Sequence, residues 1–230
     1  MCGRFTQAMT WRQLVDLYRI HEQAELPLEP RYNVAPTQQV LAIRQTTTDE
    51  RQTFLPRWGL VPSWAKELSI GNRMINARAE GVADKPSFRA AFKARRCLIP
   101  ASGFYEWSGP RAARQPHYIQ AHDGNPLTFA GLWESWRDRD EPDAPPLETC
   151  TIITTTASPD VAELHERMPV VLTSEAAWDT WLDPQAPPPL LQDLLQPAPA
   201  GTLIHHPVDR RVGSPKAQGA ELIAPLTGNA

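Results

Sequence analysis

Apolar residues along this chain come in short bursts separated by proline and polar turns. Leu14, Val15, Leu17 and Tyr18 share a helical spacing behind Thr10, so a helix is predicted over 10–20 with Thr10 as its N-cap. The stretch 25–36 reads as loop, closing on Tyr32-Asn33-Val34-Ala35-Pro36. A strand over 39–44 and a hairpin partner over 52–58 flank the polar turn 46–50. Trp58-Gly59-Leu60-Val61-Pro62-Ser63-Trp64 reads as a rigid aromatic loop, and 76–80 as an exposed polar element before a helix over 87–93. Strand-type runs follow at 97–100, 103–107, 118–121, 128–136 and 148–155, the last rich in threonine and isoleucine. Residues 159–165 read as a helical turn and 169–172 as a strand. Ser174 is the expected N-cap of a helix over 175–182, and 189–196 reads as a short surface helix. A last strand over 203–208 and a loop over 209–220 complete the pattern. Strands and short helices are interspersed with little βαβ regularity. That pattern favours an α+β fold with a mostly antiparallel, barrel-like sheet. One domain over 1–230 is expected, with a flexible loop at 138–146 and a frayed tail at 226–230.

Composition removes several alternatives. The 230 residues are 41% hydrophobic and 21% charged, so a core can be buried without disulfide or metal staples. Proline numbers 24, about twice ordinary usage, which keeps elements short. No apolar run approaches the length of about 18 residues that a membrane helix needs, and no membrane partner is expected. The start of the chain lacks the basic-then-apolar pattern of a signal peptide. Three cysteines (Cys2, Cys97 and Cys150) without CxxC spacing fit a reducing cytoplasm rather than a disulfide framework or a zinc knuckle. The net charge of −3 hides a split. Residues 1–120 hold 17 Lys and Arg against 10 Asp and Glu, and residues 121–230 hold 6 against 16. The average therefore says little against a nucleic-acid partner.

Cys2 is the strongest single candidate for chemistry. A cysteine behind the initiator becomes residue one when Met1 is removed, and then carries an amine and a thiol on adjacent carbons. Their reference pKa values, about 7.7–8.0 and about 8.5, leave some neutral amine and thiolate near neutrality. The thiol can act as a nucleophile with the amine as base, or the two together can capture an aldehyde as an imine that closes to a thiazolidine. The plain alternative is a small residue buried at a terminal strand. Glu106, between Tyr105 and Trp107, is an acid/base candidate if buried; strict alternation would instead turn it to solvent. His165, ahead of Met168-Pro169, is the histidine best placed for proton transfer, with a helix-end or surface role as the alternative. Asn76 can donate to a developing charge or cap a helix. His205-His206 has no third ligand nearby in sequence, so no metal site and no cofactor are expected.

Six motifs occur in order: Met1-Cys2-Gly3-Arg4-Phe5, Tyr32-Asn33-Val34-Ala35-Pro36, Trp58-Gly59-Leu60-Val61-Pro62-Ser63-Trp64, Asn76-Ala77-Arg78-Ala79-Glu80, Gly103-Phe104-Tyr105-Glu106-Trp107 and His165-Glu166-Arg167-Met168-Pro169. Together they resemble the SOS response-associated peptidase (SRAP) family of abasic-site shielding proteins, from Cys2 to about residue 225. The resemblance implies a monomeric protein that binds single-stranded DNA at abasic sites and traps the ring-opened sugar aldehyde on Cys2 as a thiazolidine. Glu106 would serve the amine or Schiff-base step, His165 sugar ring opening, and Asn76 the hold on the cysteine or sugar. Arg4, Arg78 and Arg167 match phosphate-holding positions, Asn33 and Pro36 a DNA-contacting loop, and Trp64 a base-stacking wedge. Autoproteolytic removal of Met1 and, in some members, crosslink reversal go with the family. Gly213 and Ala217 stand where members often carry Asn. An N-terminal-nucleophile thiol peptidase or amidohydrolase is the alternative from the Cys2 chemistry alone. It leaves Trp64 and the basic N-terminal half unexplained. A non-catalytic single-strand binding module would need no Cys2 at all.

Overall fold

The computed structural model of the protein describes residues 2–21 and 28–226. The chain opens with a strand that its local pattern does not announce, β1 (Phe5–Gln7). Thr10 then caps α1 (Trp11–Tyr18): its hydroxyl accepts from the Gln13 N–H, and the Gln13 side chain accepts from the Thr10 N–H. The helix buries Leu14 and Tyr18 and stops at Arg19, a left-handed residue with φ 51°. β2 (Arg31–Val34) lies inside the span expected to be loop. It is a strand because β1 pairs with it, Phe5 opposite Val34, and not because of local propensity. Residues 22–27, which include the start of that expected loop, lie outside the described residues.

The expected hairpin forms from β3 (Ala42–Gln45) and β4 (Arg51–Phe54), with Asp49 left-handed in its turn. The second half of the expected 52–58 strand breaks at Pro56 and resumes as β5 (Arg57–Trp58). The element expected to be exposed and polar at 76–80 is instead a strand, β6 (Asn76–Arg78), with Ala77 fully buried. α2 (Arg89–Ala94) leads into β7 (Arg96–Ala101), all six residues of which are buried. β8 (Gly103–Ser108), β9 (Gln115–Ala121), β10 (Leu127–Trp136) and β11 (Leu147–Thr156) follow close to expectation. Residues 159–165 form the expected helical turn, with the Ala162 and His165 N–H groups donating four residues back to the Ser158 and Val161 carbonyls, and the strand expected over 169–172 forms slightly earlier, as β12 (Arg167–Pro169). Ser174 caps α3 (Glu175–Leu182) through the Ala177 N–H, as its position predicts. α4 (Pro188–Asp193) and β13 (Leu203–Pro207) complete the regular elements. The expected loop after β13 contains two short 3-10 turns, Arg210–Gly213 and Ala220–Ile223. Residues 227–230 of the expected frayed tail lie outside the described residues.

Two sheets result. One runs β13-β9-β8-β1-β2, every pair antiparallel. The other runs β12-β11-β10-β7-β3-β4, with β5 and β6 laid parallel against β11. The α+β, mostly antiparallel expectation holds. The barrel-like closure does not: the outermost strands of each sheet do not pair with one another, so both sheets stay open. The sheets instead meet face to face. Phe5, Phe104 and Ile119 of the first share one apolar cluster with Ile99, Phe129 and Ile152 of the second. Phe129 meets Phe5 and Phe104 edge-on at 6.1 and 5.8 Å. The second sheet is covered on its far side by the helices, whose Leu14, Phe92, Trp178 and Trp181 share an apolar cluster with Leu98 of β7. β7 therefore has apolar partners on both faces, which explains its continuous burial.

Candidate active site and nucleic-acid interface

The register of β1 on β8 sets the position of the N-terminus. Phe5 lies opposite Phe104, and the Tyr105 N–H donates to the Arg4 carbonyl at 2.9 Å, so the residues before Phe5 continue along β8 towards Glu106. Cys2 is fully buried there, in the cluster between the sheets. Asn76, at the start of β6, donates from Nδ2 to the Cys2 carbonyl at 2.8 Å. Burial raises the Cys2 thiol pKa far above its ordinary value, and the nearby Glu106 carboxylate pushes it the same way. Cys2, Asn76 and Glu106 are thus brought together from three distant segments. While Met1 is attached, the Cys2 nitrogen is an amide.

Strict alternation would turn Glu106 to water, but it is 5% exposed. The reason is that β8 is covered on both faces. Tyr105 packs with Tyr118, Val208, Val212 and Leu222 on one side, while Phe104 faces the second sheet on the other. His165 is half-buried at the end of the turns before β12. Leu164 and Met168, on either side of it, belong to the same cluster as Cys2. Its Nδ1 accepts from the Arg167 N–H at 2.9 Å, so the neutral ring carries its proton on Nε2. Once Met1 is gone, the arrangement offers a 1,2-aminothiol with a carboxylate beside it and an imidazole N–H on the flanking segment.

The side chains expected to meet DNA divide into two groups. Arg4 donates from Nη1 to the Asn33 Oδ1 and the Val212 carbonyl, both at 2.7 Å, and from Nη2 to the Gly213 carbonyl at 3.4 Å. Asn33 is fully buried, and its Nδ2 donates to the carbonyls of Val212, Ser214 and Ala217 at 3.2, 2.9 and 2.9 Å. Arg4 and Asn33 therefore clamp the segment after β13 onto β1 and β2. Gly213 and Ala217 contribute carbonyls to that clamp, so their lack of an amide side chain leaves it intact. Arg167, 8% exposed, makes a two-pronged ion pair with Glu80 and donates to the Thr154 carbonyl at 2.6 Å. The Arg167 hydrogen bond holds the Glu80 carboxyl below the usual carboxylate range. The second group is presented outward. Arg78 is exposed at the end of β6, Trp64 is 53% exposed, and Pro36 is half-buried.

Glu80 is a residue that sequence reasoning passes over. Its one local signal is a carboxylate two residues after Arg78, and its partner Arg167 lies 87 residues away. Cys97 and Cys150 are free, fully buried core residues. Among the described residues, no three His, Cys, Asp or Glu side chains are arranged to hold a metal ion, and no helix is long and apolar enough to cross a membrane.

Known proteins resemble this chain over most of its length. A family model described as SOS response associated peptidase (SRAP) matches residues 1–215. The abasic site processing protein YoqW of Bacillus subtilis (strain 168) is 43% identical over 227 residues, covering 97% of this chain and 99% of that protein. The abasic site processing protein YedK of Escherichia coli (strain K12) is 32% identical over 233 residues, covering 98% and 100%. A crystal structure of a protein from Bacteroides thetaiotaomicron superposes with a TM-score of 0.85 at 25% identity, covering 97% of this chain and 99% of that one.

Proposed function

Because the chain belongs to the SOS response associated peptidase (SRAP) family, we propose that it processes abasic sites in DNA and captures the lesion covalently through Cys2. The observation that carries this reading is the convergence of Cys2, Asn76 and Glu106 between the two sheets. It is supported by the likeness to proteins named for abasic-site processing. Hydrolysis of the Met1–Cys2 amide consumes one water and exposes the amine; this is the peptidase step. The amine then attacks the aldehyde carbon of the ring-opened sugar, and loss of one water gives an imine. Sγ adds to the imine carbon, the thiol proton passes to the ring nitrogen, and a thiazolidine closes. Capture thus joins an aldehyde and an aminothiol with release of one water and no change of oxidation state.

Each neighbour has a role set by its position. Glu106 relays protons between the amine, the departing water and the thiol. A buried thiol that resists ionisation needs such a base at the moment of attack. His165 donates from Nε2 as the sugar ring opens. Asn76 fixes the cysteine by its carbonyl. Trp64 stacks on a base and Arg78 meets a phosphate of single-stranded DNA, while Arg4 and Arg167 hold the walls behind them. The test is to incubate Met1-processed protein with an abasic single-stranded oligonucleotide. A denaturation-resistant product, heavier by the oligonucleotide less one water, is expected, and Cys2→Ala abolishes it. Absence of that product from the processed wild type refutes the reading.

A further inference from the structure

A cleft of about 430 Å³ opens beside the face of β8 that turns away from the second sheet. Trp107 and Pro116, opposite each other in the β8–β9 ladder, form its floor. Its walls carry Arg114, from the connection between β8 and β9, and Arg210 and Gly213, from the 3-10 turn after β13. The two walls are fastened together. The Val208 N–H donates to the Pro116 carbonyl at 3.0 Å, and Gln115 donates from Nε2 to the Val208 carbonyl at 2.8 Å. Arg114 and Arg210 are both exposed, and neither has a hydrogen bond or an ion pair among the described residues. Asp209, the acid next to Arg210, is already engaged: it accepts from the Arg211 N–H at 2.8 Å and from its Nε at 2.9 Å. No carboxylate lines the cleft, so the two guanidiniums make it electropositive. The cleft also adjoins the Cys2 site. Trp107 follows Glu106 on β8, and Gly213 accepts from Arg4, two residues after Cys2, at 3.4 Å. A Cβ at Gly213 would meet nothing within 4 Å, so the rim is open there.

We propose that this cleft is a second DNA subsite, which takes a nucleotide flanking the captured lesion, its phosphate between Arg114 and Arg210 and its base against Trp107. The inference rests on the reading that Cys2 captures an abasic strand, and it extends the contact beyond Trp64 and Arg78. Guanidinium groups present planar forks of donors that match phosphate oxygens, and an indole face accepts any base. An abasic sugar offers no base to grip, so the nucleotides beside it must supply the binding. The cleft lies to one side of Cys2, so only one flank of the strand reaches it. Free phosphate shares the same chemistry, and the experiment separates the two sources.

The experiment measures equilibrium binding of single-stranded oligonucleotides that carry a stable abasic analogue without an aldehyde. A short oligonucleotide is compared with versions lengthened on the 5′ flank or on the 3′ flank, for wild type, Arg114→Gln, Arg210→Gln and the double variant. Wild type is expected to gain affinity from lengthening on one flank only, and the double variant to lose that gain while binding the short oligonucleotide as wild type does. One phosphate contact shifts the slope of log K against log salt by about 0.7 for a single strand, which is about fivefold in affinity at 0.1 M relative to 1 M salt. The double variant should show that smaller slope on the lengthened oligonucleotide. An equal gain in wild type and double variant overturns the subsite. Saturable binding of inorganic phosphate to wild type by calorimetry, with no one-sided gain from lengthening, assigns the cleft to free phosphate and overturns the DNA subsite too. Crosslinking of the Met1-processed proteins to the short oligonucleotide with a true abasic site is measured alongside. Wild type and double variant are both expected to crosslink, and a wild type that forms no crosslink overturns the capture reading instead.

Discussion

Asn33 is expected to act as a structural clamp, and Asn33→Ala measures it. The side chain accepts one hydrogen bond from Arg4 and donates towards three carbonyls of the 212–217 segment. A neutral hydrogen bond contributes about 0.5–1.5 kcal/mol and one to a charged group about 1.5–3 kcal/mol. Two N–H groups serve three carbonyls, so one of those contacts is shared. Val212 keeps its bond from Arg4 in the variant, and Ser214 is exposed enough for water to replace the lost donor. The net loss is therefore about 2–4 kcal/mol rather than the full sum. For a domain of this size, that corresponds to a fall in melting temperature of about 5–15 °C. Denaturant unfolding should show a lower midpoint with an unchanged slope. Limited proteolysis should find new cuts within 212–218, the segment the clamp releases. A variant as stable as wild type to within about 0.5 kcal/mol refutes the clamp. If that stable variant also binds single-stranded DNA more weakly, the Asn33 amide belongs to the DNA path instead.

Glu80→Gln is expected to lower stability at pH 7 by about 1 kcal/mol, a figure discounted because Glu80 is more than half exposed. The Glu80 carboxyl is depressed in the folded state, so its contribution is complete above the ordinary value of 4.5 and fades as pH falls through the folded one. The gap between wild type and variant should therefore close in acid unfolding, and a gap independent of pH refutes the ion-pair account. Trp64→Ala should weaken single-stranded DNA binding by about 1–3 kcal/mol, the contribution of one base stack, without lowering the melting temperature. Unchanged affinity in a fluorescence titration removes Trp64 from the DNA path.

Much of the molecule is legible where the governing interactions are local. Thr10 and Ser174 cap their helices through the residue three positions on, as their places before apolar-periodic runs predict. The apolar run at 97–100 is buried because any β-sheet would bury it. Cys2 stands out by chemistry alone, since an aminothiol at a chain start needs no fold to be recognised. The strands β1, β2 and β6 are not legible in the same way. They are short and polar at most positions, and they exist because a partner strand satisfies their backbone groups. The environment of Glu106 is hidden for a related reason. Alternation assumes one wet face, and the 208–222 segment that covers the other face of β8 returns from far along the chain.

The amino-acid sequence alone determines the helix caps, the strand-rich α+β composition, the six ordered motifs and the reactive potential of Cys2. Each rests on covalent neighbours or on the identity of one side chain. Tertiary structure decides that the sheets stay open, that Cys2, Asn76 and Glu106 meet, and which charged groups look inward. Arg4 and Arg78 read alike as basic residues within two of the six motifs, yet Arg4 is held by carbonyls 208 and 209 residues away while Arg78 faces solvent. The physical reason is that burial and hydrogen-bond satisfaction depend on what the chain brings alongside from a distance, and no local pattern encodes that partner.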